Sequence, residues 1–370
     1  MSEVYLKRRA RLRERGVTNG PEAALVCGPA NVRYLTGHGG AGAVLLLGPG
    51  ERDSLVVPAT ASDQPSTTPE GPHLVRVPAG PERPADTALA AVELAVRQGA
   101  GRLAVEEHHL TVSRYRELGR VAEGLQLADL GAVVESQRLT KGPEEIAALR
   151  IASEITDQAL GELLESILVG RTERHLALEL ERRLVDHGAD GPAFPTSVAT
   201  GVHSGVPGHR PTDRRVEEGD FLSVRLGAEY QGYRCQIGRT FVIGSAPEDW
   251  QVELYDLVFA AQRAAREALA PGAPYQSVDR AARQLLEGAG LGDRLAEATG
   301  HGVGLEIGED PRLAPGGVGK LDACVPVTVE PGVHLPGRGG VRIDDTLVVR
   351  PEADGGPELL TITTKELLAL

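Results

Sequence analysis

The chain has 370 residues, with 39 basic and 52 acidic side chains and a formal net charge of −13 at pH 7. At about 100–200 residues per domain this length predicts two domains, and a hydrophobic content of 41% excludes wholesale disorder. The acidic balance argues against nucleic acid, which requires a basic face to displace counterions.

The first residues, MSEVYLKRRARLRERG, are charged and helical in character. They lack the apolar stretch of a signal peptide. No run of about 18 apolar residues occurs that could span a membrane. A soluble, cytoplasmic protein is the expectation by elimination. Cys27, Cys235 and Cys324 are odd in number and far apart, without a C-x-x-C pair, so neither a disulfide framework nor a zinc ribbon is expected.

Ala23–Cys27, Ala43–Leu47, Ser54–Val57 and Leu103–Val105 are short apolar runs that predict buried strands. Ala85–Arg97 and Leu110–Leu125 predict helices among them, which together indicate an α/β layer structure. Thr60–Pro84, rich in Pro, Ser, Thr and Gly, predicts a surface loop. A break falls near Arg138–Gly142. Pro143 then opens a long helix with Ile146, Leu149, Ala152, Ile155 and Leu160 along one face. Thr172 is a candidate N-cap for a second helix that stops at Gly188. Phe221–Ile243 predicts strands with turns at Gly227 and Gly232, Trp250–Leu269 and Val278–Ala289 predict helices, and Cys324–Val349 returns to strands. The expected domains are therefore residues 1–138, α/β, and residues 139–370, making the whole an α+β protein.

Four segments carry a resemblance. They are NVRYLTG at 31–37, PGHRPTDRRVEEGDFLSVRLGAEYQGYRCQIGRTF at 207–241, TGHGVGLEIGEDPRL at 299–313 and VEPGVHLPGRGGVRIDDTLVV at 329–349. In order and spacing the chain resembles the creatinase, aminopeptidase P and prolidase family. The resemblance implies a C-terminal pita-bread domain, a smaller N-terminal creatinase-like domain and a homodimer.

Metallopeptidases of that family hold two divalent ions on five side chains, because carboxylates can bridge and neutralise two cations around a hydroxide. Carried over position by position, Arg225 stands where the first Asp is expected and Gln236 where the second is. His301 and Glu330 are kept, and Asp344 replaces a Glu. A fixed cation at about 4 Å opposes each unit of metal charge by about 4 kcal/mol at an effective dielectric of 20. The expectation is therefore no dinuclear metal and no cofactor. A single ion on His301, Glu330 and Asp344 is the alternative to an ion-paired or substrate-binding Arg225.

His209, in P-G-H-R, matches a substrate-site histidine of the family, whereas Gly308 stands where the second is expected. His203 and His334 add imidazoles at positions that usually hold other residues. His38 follows NVRYLTG where an aromatic is common, which makes it a candidate substrate contact. A histidine is a natural general base near pH 7. These substitutions predict a metal-independent, creatinase-like hydrolase or lyase acting on a C–N bond of a small amide, amidine or cyclic substrate. His209, His301 and Glu330 would be catalytic. Arg225, Gln236, Asp344, His203, His334 and His38 would bind the small-molecule substrate. Two alternatives are a catalytically dead binding module and a metal-dependent Xaa-Pro peptidase.

Overall fold

Short unbroken apolar runs set the middle of the first sheet. In the computed structural model, which describes residues 2–16, 22–61, 71–79, 85–122, 124–166 and 168–370, the chain divides into two units, Met1–Arg138 and Leu139–Leu370.

The first unit runs α1 (Ser2–Gly16), β1 (Ala23–Val26), α2 (Pro29–Thr36), β2 (Val44–Leu47), β3 (Ser54–Pro58), β4 (His73–Val77), α3 (Thr87–Arg97), β5 (Arg102–Val105), α4 (Val112–Val121), β6 (Gln126–Asp129) and α5 (Val133–Arg138). Its six strands form one mixed sheet in the order β4-β3-β2-β1-β5-β6. Side chains on a strand alternate between faces. Ala23 and Leu25, Val44 and Leu46, and Leu103 and Val105 accordingly share a buried cluster with Ala91, Val92 and Ala95 of α3 and Leu118 of α4. Both helices start on side-chain caps, Asp86 accepting from Leu89 N and Thr111 from Arg114 N. The expected loop at Thr60–Pro84 needs correction, since it contains β4. Its residues 62–70 and 80–84 lie outside the described residues.

The second unit opens with α6 (Pro143–Leu164) and α7 (Glu173–Asp186), followed by β7 (Gly191–Pro192), β8 (Ser197–Thr200), β9 (Phe221–Leu226), β10 (Ala228–Tyr230), β11 (Tyr233–Arg234) and β12 (Ile237–Val242). It continues with α8 (Asp249–Glu267), α9 (Tyr275–Gly288), β13 (Gly300–Val303), β14 (Ile307–Leu313), β15 (Pro326–Val329), β16 (Gly332–Leu335), β17 (Gly339–Arg342), β18 (Asp345–Val348) and β19 (Glu358–Leu359). Pro143 sits in the first turn of α6, and Thr172 caps α7 by accepting from His175 N.

The strands of this unit form four sheets, ordered β11-β10-β7, β12-β9-β8, β14-β13-β15-β18-β19 and β16-β17. One apolar cluster joins α6 and α7 to β8, β9 and β12 through Leu160, Leu176, Val198, Val224 and Ile237. A second joins α8 and α9 to β15, β17 and β18 through Val258, Val278, Val327, Val341 and Leu347.

One backbone crossing positions the site. Gly238 and Asp344 form an isolated antiparallel bridge, with Gly238 N donating to Asp344 O at 3.1 Å and Asp344 N to Gly238 O at 3.0 Å. A Cβ at 238 would lie 2.5 Å from the Asp344 carboxylate carbon, so this approach requires glycine. Beneath it lies the fully buried Arg239–Asp345 ion pair at 2.8 Å. Arg239 also donates to the carbonyls of Gly238, Asp344 and Thr363, and Asp345 accepts from Gln262 and Thr361. Sequence reasoning singled out neither residue.

Candidate active site

Register brings the carried-over residues together. Arg225 of β9 lies opposite Gly238 of β12 and Ser197 of β8. Gln236 immediately precedes β12, and its backbone is tied to β18, with its N–H donating to Thr346 Oγ1 and its carbonyl accepting from the same hydroxyl. His301 of β13 pairs with Thr328 of β15, and Glu330 follows that strand.

Around the two carboxylates the donors are numerous. Gln236 Nε2 donates to Glu330 Oε2 at 2.5 Å and to Asp344 Oδ2 at 2.8 Å. Its Oε1 accepts from Arg225 Nη2 at 2.9 Å. Arg225 Nη2 lies 3.4 Å from Glu330 Oε2, and Arg225 Nε 3.3 Å from Asp344 Oδ2. Arg342, which the sequence reading passed over, donates through Nη2 to Glu330 and through Nε to Asp344 Oδ1 at 2.8 Å and Oδ2 at 3.0 Å. Two guanidinium groups thus balance two carboxylates. Burial pushes the Glu330 carboxyl up, but Arg342, His301 and Arg225 outweigh it and hold it below the usual range. Burial acts against the Arg342 guanidinium, yet Asp344 and Glu330 raise its pKa further.

His301 Nδ1 is 2.9 Å from the Gly302 carbonyl, which can only accept, so that nitrogen carries the proton. Its Nε2 faces Glu330 Oε1 at 3.7 Å. His334, on β16, has its Nδ1 3.3 Å from Ser204 O. Its pKa is lowered, first by burial and then by Arg342. His38 is a buried residue of the first unit, its ring against Gly40.

His209 and His203 do not join Glu330. Both turn to Glu173, the first residue of α7, with His203 Nδ1 at 2.9 Å from Oε1 and His209 Nε2 at 2.8 Å from Oε2. Thr200 N, Thr212 N and Thr212 Oγ1 also donate to this fully buried carboxylate. Burial pushes the Glu173 carboxyl up, but the amide of Thr200, the hydroxyl and amide of Thr212 and the His209 ring overcome it and bring it to about 2 from an ordinary 4.5. A glutamate at the start of a helix has a local explanation in the helix dipole, so no cue to this role exists in the sequence.

The sign of the linkage follows from the depressed pKa. Glu173 stabilises the fold fully above about pH 4.5, and that contribution is lost as pH falls toward 2. Its size is about 3 kcal/mol. Glu173→Gln is expected to remove this part of the acid limb. Urea midpoints followed from pH 7 to 2 should differ most from wild type at neutral pH and converge near pH 2. A constant offset across the range would contradict this account.

Comparison with known proteins places the chain. Residues 8–140 match the creatinase/prolidase N-terminal domain, and residues 147–351 match metallopeptidase family M24. The chain is 32% identical over 350 residues to a Xaa-Pro dipeptidase of Pyrococcus horikoshii, covering 95% of each. It is 38% identical over 257 residues to a Xaa-Pro dipeptidase of Pyrococcus furiosus, covering 70% of this chain and 72% of that one. The solved structure of a Xaa-Pro dipeptidase from Bacillus anthracis superposes with a TM-score of 0.89 at 30% identity, covering 99% of this chain and 100% of that one. The chain therefore belongs to metallopeptidase family M24, the creatinase, aminopeptidase P and prolidase family, and has its two-domain pita-bread architecture. Among the described residues no helix is long and apolar enough to cross a membrane.

These relatives overturn the expectation of a metal-independent, creatinase-like hydrolase. Proteins matched over nearly the whole chain are Xaa-Pro dipeptidases, and the matching family is one of metallopeptidases.

The five positions themselves do not fit two divalent ions. Glu330 Oε2 and both oxygens of Asp344 already face Arg or Gln donors. At about 4 Å, each guanidinium would oppose a dication by about 8 kcal/mol at an effective dielectric of 20. These side chains therefore supply no catalytic step through a dinuclear centre.

Proposed function

We propose that this chain recognises short peptides of the Xaa-Pro class and binds them without dinuclear metal hydrolysis. The observation that carries the reading is the pair of guanidinium groups, Arg225 and Arg342, saturating Glu330 and Asp344. Arg225 is 30% exposed along its side chain, and its Nη1 forms no hydrogen bond among the described residues. It also lies 4.8 Å over the Phe194 ring, which fixes its plane. An oriented guanidinium with an open edge suits a peptide carboxylate.

A second reading, a metal-dependent Xaa-Pro peptidase, is favoured by the 38% identity to a Xaa-Pro dipeptidase and by the retained His301 and Glu330, with Asp344 in place of the second Glu. One experiment separates them. Xaa-Pro dipeptides are titrated against the protein by calorimetry and assayed for cleavage, with and without Mn²⁺ or Co²⁺. Saturable binding weakened roughly tenfold by Arg225→Lys, without cleavage, supports recognition. Cleavage that needs the metal and vanishes with chelator overturns it in favour of the peptidase. Absence of both binding and cleavage rejects the peptide class.

A further inference from the structure

The family's five metal positions are blocked by cations, but a second cluster in the same unit is not. Glu173 is 0% exposed, and among the described residues neither Arg nor Lys bonds to it. Buried carboxylates ordinarily carry a cationic partner or a metal. Among the described residues, the groups bonded to Glu173 that could supply positive charge are two imidazoles, and both are aimed at it from the loop between β8 and β9.

We propose that Glu173, His203 and His209 bind one divalent transition ion, with zinc as the type case. One ligand atom from each of the three residues lies within 4.8 Å of the other two. A zinc site has Zn–N and Zn–O distances of about 2.0–2.2 Å, so its ligand atoms lie roughly 3–4 Å apart. Small side-chain rotations would close that difference. The two rings already converge, with centroids 4.4 Å apart and planes tilted by 35°.

The rest of the site has the support that metal ligands require. Thr200 N holds one carboxylate oxygen, and Thr212 N and Oγ1 hold the other, so the Glu173 group is fixed before an ion arrives. Each imidazole would turn the nitrogen that faces Glu173 to the ion and keep a proton on the other ring nitrogen. His203 is 30% exposed along its side chain and His209 10%, leaving a solvent-facing side for a fourth ligand. Two imidazoles and one carboxylate select a borderline ion. Mg²⁺ and Ca²⁺ prefer all-oxygen shells.

The test uses the full chain stripped with chelator. Zn²⁺ is titrated by calorimetry, and Co²⁺ is added in parallel as a visible spectroscopic probe. One equivalent of Zn²⁺ is expected, with the intense visible bands of four-coordinate Co²⁺. His203→Ala and His209→Asn should each weaken Zn²⁺ at least about tenfold, with the fold checked by circular dichroism. Glu330→Gln should leave the equivalent in place. Absence of Zn²⁺ binding in the micromolar range overturns the proposal and leaves the cluster as a hydrogen-bonded loop anchor. Binding that survives His209→Asn and is lost in Glu330→Gln also overturns it, by placing the ion at the other carboxylates.

Discussion

Arg225→Asp combined with Gln236→Asp should convert a site that rejects a dinuclear centre into one that accepts it. The pair changes the local formal charge by three units and frees Glu330 and Asp344 from two of their donors. Removing one guanidinium at about 4 Å from a dication is worth about 8 kcal/mol at an effective dielectric of 20. Halving that for rehydration and residual repulsion from Arg342 leaves about 4 kcal/mol, or roughly a thousandfold in affinity. Mn²⁺ retained after dialysis, measured by elemental analysis, should rise by up to two equivalents over the parent. Making both proteins in a His209→Asn background removes any contribution from the Glu173 cluster. An unchanged metal content would show that charge at 225 and 236 does not control the site.

Asp345→Ala is expected to be the most damaging single truncation in the second unit. It leaves Arg239, which is 0% exposed, without its carboxylate partner, and strips Gln262, Thr361 and Lys365 of theirs. Breaking a buried pair from one side typically costs about 3–5 kcal/mol, against a total stability of about 5–15 kcal/mol for a domain. Denaturant unfolding should show a lowered midpoint of that size. Asp157→Ala removes a carboxylate bonded to the exposed Ile362 amide and to Thr363, and should cost far less. Equal losses in the two variants would contradict a special role for the buried pair.

The strands legible in the sequence are those with unbroken apolar runs. AALV, VLLL and SLVVP occupy the middle of the first sheet, where both faces are covered. The two unread strands, HLVRV and QLAD, are the edges of that sheet. Edge strands are half wet, so their apolar signal is thin. The strand at Gly300–Val303 carries two glycines and a histidine, and it forms because two neighbours supply its backbone partners.

Site residues divide in the same way. Arg225, Gln236, His301, Glu330 and Asp344 are legible because the motif fixes their strand register, and the structure brings them within one network. Metal independence does not follow from those positions alone. The relatives are Xaa-Pro dipeptidases of a metallopeptidase family, and the charge of the site limits only the dinuclear arrangement. His209 is legible by motif, but its direction is not. The Gly208–His209 turn, with φ of 68° at Gly208, leads a ring that a sequence cannot orient. Glu173 and Arg239 stay hidden because each has an ordinary local reading, at a helix start and in a strand.

The contacts that close the active-site network are distant along the chain. Gln236 meets Glu330 and Asp344 across 94 and 108 residues, and Arg225 meets Glu330 across 105. Bringing such partners together costs chain entropy before any contact rewards it. During synthesis, the arginine and the amide leave the ribosome well before the carboxylates that neutralise them. Arg225 therefore spends that interval without the carboxylates that neutralise it, although the strands of its own sheet, β8, β9 and β12, are already made. The network is completed only when the strands from Pro326 onward arrive, and a chain stopped short of them would lack Glu330 and Asp344 as well as the apolar partners of α8 and α9.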